Sequence, residues 1–128
     1  EEEFQGLLRQ RSEDDQKKFW ELCDSQTDED EEEPKTATGI VLTNGITVGR
    51  TNLEAQEDEG GVFERLSRFN HSCAPNVHHC WQQAQQVREV RALRDIPAGE
   101  ELCISYLGLY GDRGQRVDDL LGRYGFEC

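Results

Sequence analysis

Two short motifs constrain the fold of this 128-residue sequence more than its composition does. Residues 68–77 read RFNHSCAPNV, and about thirty positions later residues 99–106 read GEELCISY. The first motif alone would fit a capped turn with a buried thiol, which occurs in many folds. The second predicts a strand over residues 102–106, with Leu102, Ile104 and Tyr106 on one face. The two motifs in this order are hard to match by chance.

Helical patterns lie at both ends of the chain. Residues 4–23 carry apolar side chains at helical spacing, interrupted by a polar stretch, and fit one long helix or two short ones. Residues 117–124 carry apolar side chains at i, i+3, i+4 and i+7, which predicts a helix that Gly125 can end. Between them, the acidic run at residues 28–33 predicts a disordered loop, because six like charges repel and bury nothing.

Strand patterns occupy the middle of the chain. Residues 77–81 and 87–93 predict an antiparallel pair joined by a polar turn. Residues 39–49 carry β-branched side chains on both sides of Asn44 and Gly45, which is a strong signal for a hairpin or tight turn. Helices and strands together predict an α+β fold.

The charge and the cysteines narrow the class of function. Residues 1–33 hold 14 acidic and 4 basic residues, whereas the whole chain has a net charge of −13. This excess argues against nucleic acid as a direct partner and suits a basic peptide, although a solvated acidic loop is the commoner explanation of such a charge run. Five cysteines, an odd number, favour reduced thiols or metal ligands over disulfides. Without a signal sequence or long apolar run, we expect no membrane contact and a location in the nucleus or cytoplasm.

The paired motifs resemble the signature of SET-domain methyltransferases, in the branch associated with MYND fingers or stand-alone fungal-type proteins. Residues 123–128, RYGFEC, resemble the start of that family's post-SET segment. The resemblance covers residues 36–128 and implies a SET-type fold of small antiparallel sheets with knot-like threading, a helical insert and a C-terminal helix. It divides the chain into a helical insert with an acidic loop (1–35), the C-terminal SET core (36–110), and a C-terminal helix with a truncated post-SET segment (111–128).

The opening Gly-x-Gly segment of that family has no counterpart in this sequence, so we expect the front part of the domain to be missing. Strands that pair with that part would be left as exposed edges, and apolar faces would lose burial. These 128 residues alone are therefore predicted to be marginally folded and weakly active or inactive.

The resemblance implies an S-adenosylmethionine-dependent protein-lysine N-methyltransferase, which transfers a methyl group to a lysine ε-amine of a histone or non-histone protein. By position, Tyr106 matches the catalytic tyrosine, and Asn70 and His71 match cofactor contacts. Tyr124 and Phe126 match aromatic residues that wall the lysine channel and stack against the adenine. From the residues alone, a core tyrosine, a structural histidine and a packing role for Tyr124 are the alternatives.

Three further residues carry assignments from the resemblance. Asn44 follows a threonine, as does an asparagine beside the cofactor in the family, so it is either a cofactor contact or a turn residue. Cys73 matches the cysteine that joins three post-SET cysteines in a structural zinc site, and Cys128 matches the first of those three. The two form a partial site, with zinc expected in the full-length protein.

Two alternatives from other classes remain open. One is a non-catalytic SET-like module that binds a peptide or protein partner without turnover, which the missing front part favours. The other is a cysteine-based zinc scaffold.

Overall fold

The computed structural model describes residues 1–27, 33–49 and 59–128. They form two compact units, the first made of Glu1–Thr47 and Gly60–Arg68 and the second of Val48–Glu59 and Phe69–Cys128. Most of the predicted disordered loop, residues 28–32, lies outside the described residues. None of the helices in the described ranges has the length and apolar character needed to cross a membrane.

Short helices make up most of the first unit. They are α1 (Glu2–Leu8), α2 (Glu13–Trp20), α3 (Ala37–Asn44) and a 3₁₀ helix (Leu66–Arg68). The helical prediction for residues 4–23 is therefore confirmed as two helices. The break falls where Ser12 caps α2, because its hydroxyl accepts a hydrogen bond from the Asp15 amide at 3.1 Å.

The hairpin or tight turn predicted over residues 39–49 is wrong. Its first half is the helix α3, and only its second half is a strand, β1 (Ile46–Gly49), which pairs with β2 (Glu59–Gly61). Gly45 has an extended backbone with φ −68° and ψ 132°. The Asn-Gly pair therefore ends a helix and does not form the positive-φ turn that a two-residue hairpin requires.

Contacts from outside this segment explain the helix. The Thr36 hydroxyl accepts a hydrogen bond from the Gly39 amide at 2.9 Å and caps the first turn. A Cβ at Gly39 would lie 2.2 Å from the Asp24 carboxylate, so glycine lets the buried Asp24 pack against the helix. Ile40 is fully buried. Tertiary burial thus overrides the β-propensity of the sequence.

From Phe69 onward, where every residue is described, the second unit contains four strands and one helix. They are β3 (Asn70–His71), β4 (Val77–Gln82), β5 (Val87–Ala92), β6 (Cys103–Ile104) and α4 (Arg113–Tyr124). β4 and β5 pair antiparallel with Val77 opposite Ala92, as predicted. The small sheets and the helices together confirm the prediction of a fold that contains both helices and strands.

The pairing of β3 with β6 brings the two motifs side by side. Asn70 lies opposite Cys103 and His71 opposite Ile104, and the strands run parallel. The prediction of small antiparallel sheets is wrong for this sheet, because the connection includes the whole β4–β5 hairpin and brings the chain back in the same direction. The strand predicted over residues 102–106 is confirmed only at its centre, and knot-like threading stays a prediction.

Helix α4 is confirmed with its predicted end. Asp112 and Gln115 form a capping box at its start, and Gly125 ends it in the left-handed region with φ 73°. Leu120 is fully buried, whereas Leu121 is 44% exposed, so the predicted apolar stripe is buried only in part. Tyr124 is the last residue of this helix, and Phe126 follows directly after Gly125.

Candidate functional site

Asn76 joins the two motifs through its side-chain amide. The residue is buried, its Nδ2 donates to the Glu101 carbonyl at 2.7 Å and to the Glu100 carboxylate at 3.0 Å, and its Oδ1 accepts from the Cys103 amide at 2.8 Å. Sequence reasoning gave Asn76 no role, although an asparagine at the end of a motif that also carries Asn70 was a visible signal. Because both ends of the amide are bonded, Asn76 fixes the first motif against β6.

Tyr106 is held at both ends by residues around β3. Its backbone amide donates to His71 Nδ1 at 3.0 Å, and its hydroxyl donates to the Phe69 carbonyl at 2.6 Å. Since the hydroxyl proton is directed at Phe69, the phenolic oxygen can act towards a further group only through its lone pairs. The half-buried ring therefore carries a neutral acceptor at a fixed position.

The hydrogen bonds of His71 fix its tautomer. A backbone amide can only donate, so Nδ1, which accepts from Tyr106, carries no proton, and the neutral ring is protonated at Nε2. Nε2 lies 3.3 Å from Cys73 Sγ, within hydrogen-bonding distance. Burial lowers the pKa of His71, and the positive charge of Arg116 lowers this pKa further. Both effects favour the neutral imidazole.

Four of the predicted site residues form an aromatic cluster. Ring centroids lie 5.4 Å apart for His71 and Tyr106, and 4.9 Å apart for Tyr106 and Tyr124. The Phe126 centroid lies between 6.1 and 6.4 Å from each of the other three rings. Burial raises the pKa of Tyr124, so its phenol stays neutral. Such a cluster excludes water and attracts a cation to the faces of its rings.

The two predicted zinc ligands are also brought together. The Cys73 amide donates to Cys128 Sγ at 3.4 Å, and ligand atoms of Cys73, Cys128 and His71 all lie within 4.8 Å of one another. Two thiolates fit half of a tetrahedral zinc site. His71 does not fit as a third ligand, because binding through Nε2 while Nδ1 accepts from an amide would require an imidazole with no proton at all. It fits instead as a hydrogen-bond donor to the sulfur.

The remaining two predicted residues have different surroundings. Asn70 is exposed on β3, and its Nδ2 donates to the Glu101 carboxylate at 2.6 Å. Asn44 belongs to the first unit, where it is buried at the end of α3 and its Nδ2 donates to the carbonyls of Cys23 at 2.7 Å and Ile40 at 2.8 Å. The cofactor contact of Asn44 stays a prediction.

Known proteins resemble most of this chain. The SET domain family matches residues 4–107. Histone-lysine N-methyltransferase set5 of Schizosaccharomyces pombe is 34% identical over 133 residues, covering 95% of this chain and 39% of that protein. Human histone-lysine N-methyltransferase SMYD3 is 38% identical over 88 residues, covering 69% of this chain and 20% of that protein. N-lysine methyltransferase SMYD2 of Gallus gallus is 32% identical over 100 residues, covering 76% of this chain and 22% of that protein.

The matches extend beyond the region that carries the motifs. The family match begins at residue 4 and ends at residue 107, so it includes most of α1, all of α2 and the paired motifs, but not α4 or residues 123–128. The chain spans between about a fifth and two fifths of the length of the relatives named above.

Proposed function

This chain belongs to the SET-domain family, and from that membership we propose that it is part of an S-adenosylmethionine-dependent protein-lysine N-methyltransferase. The relatives are named as lysine methyltransferases, which supports this reaction class. The structural observation that carries the proposal is the fixed Tyr106 oxygen, an acceptor held between the Phe69 carbonyl and a cluster of aromatic rings.

The residues of the second unit suit the proposed cofactor. When bound, S-adenosylmethionine supplies an electrophilic methyl group on a positively charged sulfonium. The Tyr106 oxygen offers lone pairs to a polarised methyl group through weak C–H contacts, and it can also orient an amine. Tyr106 need not act as a base, since solvent can take the proton of the lysine before the reactants align. Its proposed role is alignment.

The aromatic neighbours have a complementary role in this proposal. Tyr124, neutral and half-buried, would wall the lysine channel, and Phe126 would stack against the adenine. Both exclude water from the path between amine and methyl group, which strengthens electrostatic interactions there. Because both ring nitrogens of His71 already face groups of this chain, a cofactor contact of His71 falls to its main chain.

The proposed substrate is a lysine within a basic protein segment, such as a histone tail. The net charge of −13 favours such a segment electrostatically, and two of the relatives are named as histone-lysine enzymes. We also propose that Cys73 and Cys128 supply two thiolates to a structural zinc site in the full-length protein, and that the protein acts in the nucleus or cytoplasm.

A methyl-transfer assay with two matched tyrosine variants tests the proposal. The full-length protein is mixed with deuterated-methyl S-adenosylmethionine and basic lysine peptides, and transfer is measured by mass spectrometry. We expect Tyr106→Phe to lower kcat by about 100-fold, the cost of losing alignment at the reacting centre. Tyr110→Phe is the control, because Tyr110 is fully exposed, and its kcat should not change.

Two outcomes would count against the reaction. Equal rates for the two variants would remove Tyr106 from the chemistry. Binding of S-adenosylmethionine or peptide without any transfer by the wild-type protein would instead support the non-catalytic SET-like binding module.

A further inference from the structure

The strand ladder between the two motifs stops just before Tyr106. The last backbone bond of the β3–β6 ladder runs from the Ser72 amide to the Ile104 carbonyl at 2.9 Å. In a parallel ladder that continued, the next bond would run from the Tyr106 amide to the Ser72 carbonyl. The Tyr106 amide donates instead to the His71 imidazole, at 3.0 Å. The His71 side chain therefore replaces a backbone acceptor at Tyr106, the residue whose position the proposed reaction depends on.

We propose that His71 is a positioning residue whose Nδ1 fixes the main chain of Tyr106, while its Nε2–H anchors the ring on Cys73. This inference rests on the proposed methyl transfer and names the element that sets the geometry of Tyr106. The hydroxyl of Tyr106 is held by Phe69, and its amide by His71, so both anchors are neighbours in sequence just before and within β3. A shift of this segment would move the whole tyrosine.

The anchor at Cys73 gives the imidazole its orientation. With Nδ1 accepting, Nε2 carries the proton and points at the Cys73 sulfur, 3.3 Å away. The Cys73 amide in turn donates to Cys128, which places the imidazole next to the predicted pair of thiolate ligands. With its proton on Nε2 engaged by this contact, the ring keeps the lone pair of Nδ1 for the Tyr106 amide.

Two substitutions separate the functions of the two ring nitrogens. His71→Asn places an amide oxygen close to the position of Nδ1 and no atom at that of Nε2. His71→Gln places a polar group near the position of Nε2 and no acceptor at that of Nδ1. If Nδ1 positions Tyr106, the asparagine variant keeps the hydrogen bond to the Tyr106 amide and the glutamine variant loses it.

An activity-independent readout comes from NMR spectroscopy of the full-length protein. Selective ¹⁵N-tyrosine labelling gives each tyrosine one amide signal, this chain contributing three, and the signal lost in Tyr106→Phe identifies Tyr106. We expect slow hydrogen exchange at the Tyr106 amide in the wild type and in His71→Asn. In His71→Gln, exchange should be about tenfold faster, as expected for the loss of one hydrogen bond.

Kinetics provide the second readout. We expect His71→Gln to lower kcat by about 10- to 100-fold with less than a threefold change in the KM for S-adenosylmethionine, because alignment is lost and cofactor binding is not. His71→Asn should lower kcat at least about threefold less than His71→Gln does, because asparagine keeps an acceptor for the Tyr106 amide. A merely structural histidine would lower both variants alike.

Each outcome decides the inference separately from the methyltransferase proposal. Fast exchange of the wild-type Tyr106 amide would overturn the positioning role whether or not the variants fold. Equal exchange rates in the two folded variants would overturn it as well. Absence of methyl transfer by the wild type would overturn the reaction and leave the exchange measurement to decide the contact.

Discussion

Substituting Asn76 with alanine tests how strongly the two motifs are joined. The side chain is 4% exposed, its Nδ2 donates to the Glu101 carbonyl at 2.7 Å, and its Oδ1 accepts from the Cys103 amide at 2.8 Å. Each such bond contributes about 1 kcal/mol, and a buried group left without a partner costs about 1–3 kcal/mol. With two backbone groups losing their partner, Asn76→Ala should lower the free energy of unfolding by about 3 kcal/mol.

Urea denaturation followed by tryptophan fluorescence measures this cost. The chain has two tryptophans, Trp20 and Trp81. Both variants are made in a Trp20→Phe background, so that the fluorescence of Trp81 on β4 reports the unfolding of the second unit. The control is Asn70→Ala, because Asn70 is exposed and its Nδ2 donates to the Glu101 side chain, so its cost should be at most about 1 kcal/mol. The reasoning is refuted if the two variants unfold at the same urea concentration, since Asn76 would then add nothing beyond an exposed contact.

Four further substitutions test other parts of the structure. Gly39→Ala should cost about 3 kcal/mol in urea denaturation, because its Cβ would lie 2.2 Å from the Asp24 carboxylate. Leu120→Ala should cost about 2–5 kcal/mol by the same measurement and Leu121→Ala less than about 1, because the first is fully buried and the second 44% exposed. Hydrogen bonds from the first amides of α3 lower the pKa of Glu1 to about 2, so its stabilising contribution is complete above the ordinary value of 4.5 and lost as the pH falls towards 2. The Tm difference between the wild type and Glu1→Gln should therefore be present above about pH 5 and disappear near pH 2.

Elements whose signals are local were predictable from the sequence. Helix α4 has its capping box, its apolar period and its terminal Gly125 within fourteen residues, from Asp112 to Gly125. The β4–β5 pair is joined by a short polar turn, so its partners are adjacent in sequence. In both elements, the residues that determine the structure lie close together in sequence, so a local pattern predicts the element.

Elements decided by distant residues were not predictable in this way. The β-branched residues of α3 favour a strand, and the deciding contact with Asp24 comes from before the acidic run. The parallel pairing of β3 with β6 joins Asn70 to Cys103, and no local pattern specifies a partner or direction over that separation. Such pairings depend on long-range packing. The resemblance to a family indicated the type of fold but not this parallel pairing.

The candidate site shows the same division. Resemblance placed His71, Tyr106, Tyr124 and Phe126 in one site, and the structure brings their rings together. It did not indicate that His71 bonds the Tyr106 amide through its side chain or that Asn76 links the motifs. These roles follow from individual donor and acceptor directions, which a sequence does not contain.

Calorimetric titration with S-adenosylmethionine tests the central claim most directly, namely that the aromatic cluster of the second unit forms part of a cofactor site. The full-length protein is compared with Phe126→Ala and Tyr106→Phe. We expect the wild type to bind S-adenosylmethionine. Phe126→Ala should bind it at least about fivefold more weakly, since base–aromatic stacking contributes about 1–3 kcal/mol. Tyr106→Phe should bind it within about threefold of the wild type, because the proposed role of Tyr106 is alignment. Equal affinity of Phe126→Ala and the wild type, or no binding by the wild type, would contradict this claim.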